Sequence, residues 1–157
     1  MKRFFACLVA ALLIAGCGDK TDSQLTKDAQ ELVKQELAKK YKPGECEKWL
    51  SMESAGVIKN GASSAACDNN FNVSKGLAFS DMKVYRHESH NTVCGNVSGY
   101  TDIGSIDGKF VFSDSNGGRV FIKNSKYPML QQSDNKNTRD LVELINRQFV
   151  LESGQCQ

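Results

Sequence analysis

The stretch "GKFVFSDSNGGRVFIKN", residues 108–124, decides the fold of this chain. Two runs of β-branched and aromatic residues flank Asn116 and Gly117, a pair that favours a tight turn between antiparallel strands. Each run is apolar at three consecutive positions, 110–112 and 120–122. A strand with one solvated face should alternate instead. Either both faces of this hairpin are covered, or one face exposes apolar side chains to a partner.

The second alternative gives a candidate protein-binding surface. It combines the outward side chains of the hairpin with a glycine-, serine- and alanine-rich loop predicted over residues 54–66. The hairpin residues of this candidate surface are Phe110, Phe112, Val120 and Ile122.

Two further segments with a period of two precede the hairpin, one over about residues 81–87 and one in "TVCGNVSGY", residues 92–100. Together with the hairpin they predict a four-stranded antiparallel meander.

Amphipathic segments over residues 25–41 and 137–152 flank the meander, and both repeat apolar residues at helical spacing. Thr21 followed by Gln24 predicts a capping box at the start of the first helix. In the second helix the residues at helical spacing are Leu141, Leu144, Ile145, Gln148 and Phe149. The order helix, meander, helix predicts an α+β fold whose helices cover one sheet face.

The strand segments also carry a family likeness. "FSDMKVYR" followed by "TVCGNVSGY" resembles small, uncharacterised secreted proteins of bacteria, in which an amphipathic helix and a strand precede a VCG-x-V strand. This resemblance agrees with the order of elements above and implies no particular chemistry.

The N-terminal segment "MKRFFACLVAALLIAGC", residues 1–17, has the layout of a signal peptide, with Lys2 and Arg3 before an apolar run over residues 4–14. The apolar run is too short for a comfortable bilayer span. Its end, "IAGC", resembles the lipobox of bacterial lipoproteins, with Ile14 where leucine is usual. The resemblance implies cleavage before Cys17 and a diacylglycerol on the Cys17 thiol, and two or more acyl chains anchor a protein stably.

The alternative is an ordinary secreted protein in which Cys17 is incidental. Gly18 follows the lipobox cysteine, and in enteric bacteria an aspartate there tends to retain lipoproteins in the inner membrane. The resemblance therefore implies an outer-membrane lipoprotein facing the periplasm, with the inner membrane or the cell surface as alternatives. The expected organisation is a signal peptide (1–16), a lipidated cysteine and short tether (17–24), and one domain (25–157).

The charge balance argues against a nucleic-acid partner. Residues 1–16 carry two of the twenty Lys and Arg and none of the eighteen Asp and Glu, so the remainder of the 157-residue chain is formally neutral. No basic stripe remains to bind phosphates.

Four cysteines remain after Cys7 and Cys17 are set aside, and an even number in an oxidising compartment predicts two disulfides with three possible connectivities. The preferred pairing joins Cys46 to Cys67 across the 54–66 region and Cys94 to Cys156. A zinc site is the alternative, but the sequence has no Cys-x₂-Cys pair.

His87 and His90, in "RHESHN", are the only histidines. A polar turn between strands is the favoured interpretation, and convergence across that turn would make the pair weak candidate metal ligands. No nucleophile stands at a recognised spacing from a base, so we expect neither an enzyme nor a bound cofactor. The sequence predicts a membrane-anchored protein-binding module, with a small-ligand or metal-binding module as the alternative.

Overall fold

The computed structural model describes residues 19–126 and 135–157. The predicted signal peptide over residues 1–16, together with Cys17 and Gly18, lies outside the described residues. Within the described residues, three α-helices come first, then four strands, then a last α-helix. In chain order these are α1 (Asp22–Lys40), α2 (Glu45–Ser54), α3 (Ala62–Cys67), β1 (Leu77–Arg86), β2 (Asn91–Tyr100), β3 (Ser105–Ser113), β4 (Arg119–Asn124) and α4 (Lys136–Ser153). The predicted α+β class is confirmed.

The four strands form one antiparallel sheet in the order β1-β2-β3-β4, which confirms the predicted meander. Asn116 and Gly117 both have positive φ, at 51° and 86°, as the turn between β3 and β4 requires. Strand β1 begins at Leu77, earlier than expected. A register shift between Ser80 and Lys83, with Asp81 at φ 53°, forms a bulge that breaks the alternating pattern there.

Helix α1 covers one face of the sheet. Its capping box is present, since the Thr21 hydroxyl accepts from the Gln24 N–H (3.3 Å) and the Gln24 side chain accepts from the Thr21 N–H (2.9 Å). The buried side of α1 consists of Leu25, Ala29, Val33 and Leu37, and it packs into one cluster with Val93, Val97, Ile106, Phe110, Phe112 and Ile122. This cluster is the main core of the domain.

Helix α4 lies against the opposite face, so the expectation that both helices cover the same face is wrong. Val111 alternates with Phe110 and Phe112 along β3 and therefore points away from α1, yet it is buried. Helix α4 contacts β3 and β4 on that side and buries Val142 and Phe149. The consecutive apolar residues of the hairpin are explained because α1 covers one face of the sheet and α4 covers part of the other.

Both predicted disulfides are present. Cys46 pairs with Cys67 and Cys94 with Cys156, with Cα–Cα distances of 4.7 and 6.1 Å. The first links α2 to α3, and the second ties the chain beyond α4 to the central strand β2. The four cysteines are therefore not zinc ligands.

The prediction of a loop over residues 54–66 is wrong in its second half, because the short helix α3 begins there at Ala62. Gly61 at the N-cap is left-handed (φ 86°) and offers no side chain to the first turn. Glu53 at the end of α2 supplies the cap instead, since its carboxylate accepts from the N–H groups of Gly61 (2.7 Å) and Ser63 (2.9 Å). A hydrogen bond with the Ser63 side chain, together with these two backbone N–H groups, holds the pKa of Glu53 below its usual value.

A pH-dependent contribution to stability comes from the β3–β4 turn. Asp114 accepts hydrogen bonds from the backbone N–H of Asn91 (2.7 Å) and from its side-chain amide (2.8 Å). Burial raises the pKa of Asp114, but these hydrogen bonds and the charges of Lys20 and His90 lower it more, so the net shift is downward. Because the pKa of Asp114 is lower in the folded state, its contribution to stability is complete above its unfolded-state pKa of about 4. This contribution is lost as the pH falls through the folded-state pKa.

We therefore expect Asp114→Asn to reduce the loss of stability on acidification. Urea midpoints measured at about pH 6 and about pH 3 should differ less in this variant than in the parent. Asp107→Asn, which removes an exposed carboxylate from β3, is the control. Equal losses in the parent and in Asp114→Asn would contradict the assignment.

Candidate functional site

The hairpin surface proposed from the sequence is wrong, because its residues belong to the core. Phe110, Phe112 and Ile122 are 1%, 3% and 7% exposed, and Val120 packs partly buried against the same cluster. The physical reason is α1, which lies across this face of the sheet. No partner can reach these side chains in the folded domain.

His87 and His90 converge across the turn between β1 and β2, as the turn interpretation predicted. The backbone N–H of His87 donates to the carbonyl of His90 (3.0 Å), and the two rings stack with centroids 4.8 Å apart. Nε2 of His87 lies 3.0 Å from the carbonyl of Gln155, and Nε2 of His90 lies 3.1 Å from the Gln155 side-chain oxygen. A carbonyl oxygen accepts hydrogen bonds, so in these contacts each Nε2 acts as the donor and is directed at Gln155 rather than at a metal.

The histidine pair therefore serves to fix the chain beyond α4, next to the Cys94–Cys156 disulfide. Thr92 donates to the same Gln155 oxygen (3.2 Å). Within the described ranges, no group of three or more His, Cys, Asp or Glu side chains is arranged to hold a metal ion.

A second polar cluster lies at the opposite end of the sheet, and its side chains form hydrogen bonds with one another. Tyr41, directly after α1, donates to the Asp102 carboxylate (2.8 Å), and the Asn72 amide donates to both groups (2.8 Å each). The hydrogen bond to Asp102 raises the pKa of Tyr41. The cluster joins the end of α1 to the β2–β3 loop.

Three exposed leucines form an apolar feature on α4. Leu141, Leu144 and Leu151 are 57%, 63% and 72% exposed, and we call these three residues the leucine row. Their spacing of three and seven places them along one side of the helix, which also carries Gln148. Leu141 and Leu144 recur at helical spacing with Phe149, yet they are exposed, because Val142 and Phe149 occupy the side facing the sheet.

The sequence did contain a signal for this row. The apolar residues of α4 occupy two adjacent stripes, one through Val142 and Phe149 and one through the leucines. Together they are wider than one helix can bury against a sheet. Exposed leucines grouped on one helix face form a candidate binding surface.

A groove of about 370 Å³ separates the last turns of α4 from the part of the sheet that α4 leaves open. Its polar lining comes from β1, β2 and β3 and, through Ser153, from α4, and its apolar lining includes Val111 and Phe149. The polar lining residues on the strands are Asp81, Lys83, Tyr85, Asn96 and Lys109. The leucine row is not part of the surface expected from the sequence, and the groove shares only Phe110 with it.

The two disulfides indicate an oxidising compartment outside the cytoplasm. No helix within the described part of the chain is both long and apolar enough to cross a bilayer.

No protein-family model, curated protein or solved structure matches this chain.

Proposed function

We propose that this protein is a lipid-anchored envelope protein, facing the periplasm from the outer membrane, whose domain binds another protein through the leucine row of α4. One observation carries the proposal: three leucines on one side of α4 are more than half exposed, although the domain buries the neighbouring side of the same helix. Full burial of a leucine contributes about 1.5–3 kcal/mol, so three of them can supply the centre of an interface.

The anchor in this proposal is a lipid on Cys17, as the lipobox resemblance implies. Helix α1 begins at Asp22, so residues 18–21 can span at most about 14 Å between anchor and domain. Arg86 donates to the Lys20 carbonyl (2.8 Å) and to Asp22 (2.6 Å), which fixes the start of α1 to the β1–β2 end of the sheet. That end would face the membrane.

This orientation leaves the leucine row accessible from the side. Gln155 contacts both histidines of the β1–β2 turn, so α4 ends near the membrane-facing end of the domain. Leu151 is then the nearest leucine to the bilayer and Leu141 the farthest. A partner in the same membrane meets the row at a raised effective concentration, which compensates for a small interface.

The proposal is tested by crosslinking and pull-down of the full lipidated protein from its own host. We expect Leu144→Asp combined with Leu151→Asp to reduce capture of a specific partner at least tenfold, because two charges enter the centre of the contact. The control is Val150→Asp on the same helix, which replaces a side chain that is 64% exposed but lies outside the row. It should leave capture unchanged.

The anchor has its own outcome in the same experiment. Cys17→Ser should move the protein from the membrane fraction to the soluble fraction, and retention in the membrane would refute lipidation. Equal capture by the parent and by the leucine double variant would refute the role of the leucine row. Absence of any specific partner from the lipidated form would refute the protein-binding function.

A further inference from the structure

We infer that the groove between α4 and the open part of the sheet binds a small molecule with one acidic group and an apolar tail, such as a fatty carboxylate or an alkyl phosphate. The inference goes beyond the proposed function, because the groove and the leucine row are different surfaces and neither needs the other.

The acidic group is inferred from an unbalanced row of lysines on the groove side of the sheet. Lys109 on β3 is directly opposite Lys123 on β4, and Lys83 on β1 lies on the same face. Directly opposed like charges destabilise a sheet. None of the three ammonium groups forms a hydrogen bond or ion pair with another residue among those described. A bound anion would remove this repulsion.

The carboxylates of this face do not cancel the lysine charges. Asp81 lines the groove but accepts hydrogen bonds from the Asn96 amide (2.7 Å) and the Ser80 hydroxyl (3.2 Å). Asp107 is two residues before Lys109 on the same face and is exposed. Three ammonium groups therefore face two carboxylates, and one of these carboxylates already has two donors.

The apolar tail is inferred from the opposite wall. Phe149 of α4 and Val111 of β3 line the groove, beside the Cys94–Cys156 disulfide. Tyr85 adds an aromatic ring, and its hydroxyl has no hydrogen-bond partner among the described residues. A volume of about 370 Å³ lies in the range typical of small-molecule sites.

The bulge in β1 shapes the polar rim of the groove. Asp81 is in the left-handed region without being glycine, a conformation that costs about 1–3 kcal/mol and persists where surrounding contacts hold it. Its hydrogen bond with Asn96 is such a contact, and it aligns β1 with β2 at the groove. Bulges are common beside binding sites, where they redirect side chains.

The test uses the full chain with Cys17→Ser and follows backbone amide signals by NMR during titration with octanoate and with octyl phosphate. We expect shifts concentrated at residues 83–85, 94–96 and 109–111, and at least tenfold weaker binding after Lys83→Gln combined with Lys109→Gln. Lys48→Gln combined with Lys59→Gln, two exposed positions in α2 and just after it, changes the net charge equally and should bind like the parent. The stronger of the two probes identifies the acidic group as carboxylate or phosphate.

Two further probes separate charge from hydrophobicity. Octanol and octylamine, which keep the tail but lack the negative charge, should bind at least tenfold more weakly than octanoate. Equal binding of octanol, or an equal effect of both lysine pairs, would show that the groove recognises no anion. No shift with any probe at millimolar concentration would overturn the site. Folding of the Lys83→Gln and Lys109→Gln variant is checked by its melting temperature, which should equal or exceed that of the parent because a like-charge contact is lost.

Discussion

Phe110→Ala is expected to lower the free energy of unfolding by about 3–5 kcal/mol, the usual cost of removing a buried phenylalanine. Phe110 is 1% exposed, packs edge-to-face on Phe79 with ring centroids 6.0 Å apart, and lies in the core beneath α1. Gly95 on the neighbouring strand leaves room for its ring, since an added Cβ there would lie 2.9 Å from it. Urea denaturation of the Cys17→Ser form at neutral pH measures the change.

Val150→Ala is the matched control, because Val150 is 64% exposed and should change the unfolding free energy by less than about 0.5 kcal/mol. A small effect of Phe110→Ala would mean that β3 is not covered by α1 and would restore the hairpin as a candidate surface. The same reasoning applies to Phe112, where a charged substitution intended to disrupt a partner would unfold the domain instead.

Loss of the Cys94–Cys156 disulfide should have a comparable effect. Replacing both cysteines with alanine removes a link between residues 62 apart in sequence, which the chain-entropy model values at about 4 kcal/mol. This link also holds Gln155 beside His87 and His90, so the last turn of α4 should loosen. Urea denaturation gives the size of the effect, and amide hydrogen exchange in α4 gives its location.

The Cys46–Cys67 pair provides an internal comparison. Its cysteines are 21 residues apart, so the corresponding double alanine variant should lose about 3 kcal/mol. Its hydrogen exchange should increase in α2 and α3 rather than in α4. Unchanged stability in both variants would mean that the cysteines are reduced under the conditions used.

The sequence predicted those parts of the fold that depend on local patterning. Alternation and the Asn116–Gly117 pair were enough to identify the meander, and three- and four-residue spacing with the Thr21 cap was enough to identify α1. The predicted disulfide pairing was also correct. One disulfide joins the neighbouring helices α2 and α3, and the other joins the chain end after α4 to the sheet.

The remaining features depend on contacts between distant residues. Local spacing did not indicate which side of α4 meets the sheet, since Leu144 and Phe149 are equally apolar. Helix α3 is capped by Glu53, which belongs to α2, so the sequence of α3 itself does not contain its cap. The first half of β1 was not predicted, because the bulge at Asp81 interrupts the period of two. The groove arises only when β1, β3 and α4 come together, so its lysines looked like ordinary solvated charges in the sequence.

The two disulfides have a consequence for how the protein matures. Both join cysteines that are consecutive among the four, Cys46 with Cys67 and Cys94 with Cys156. A chain that crosses into an oxidising compartment with its N-terminus leading exposes these thiols in that same order. An oxidase that joins each thiol to the next one to arrive therefore makes the native pairs directly, and maturation needs no reshuffling by an isomerase.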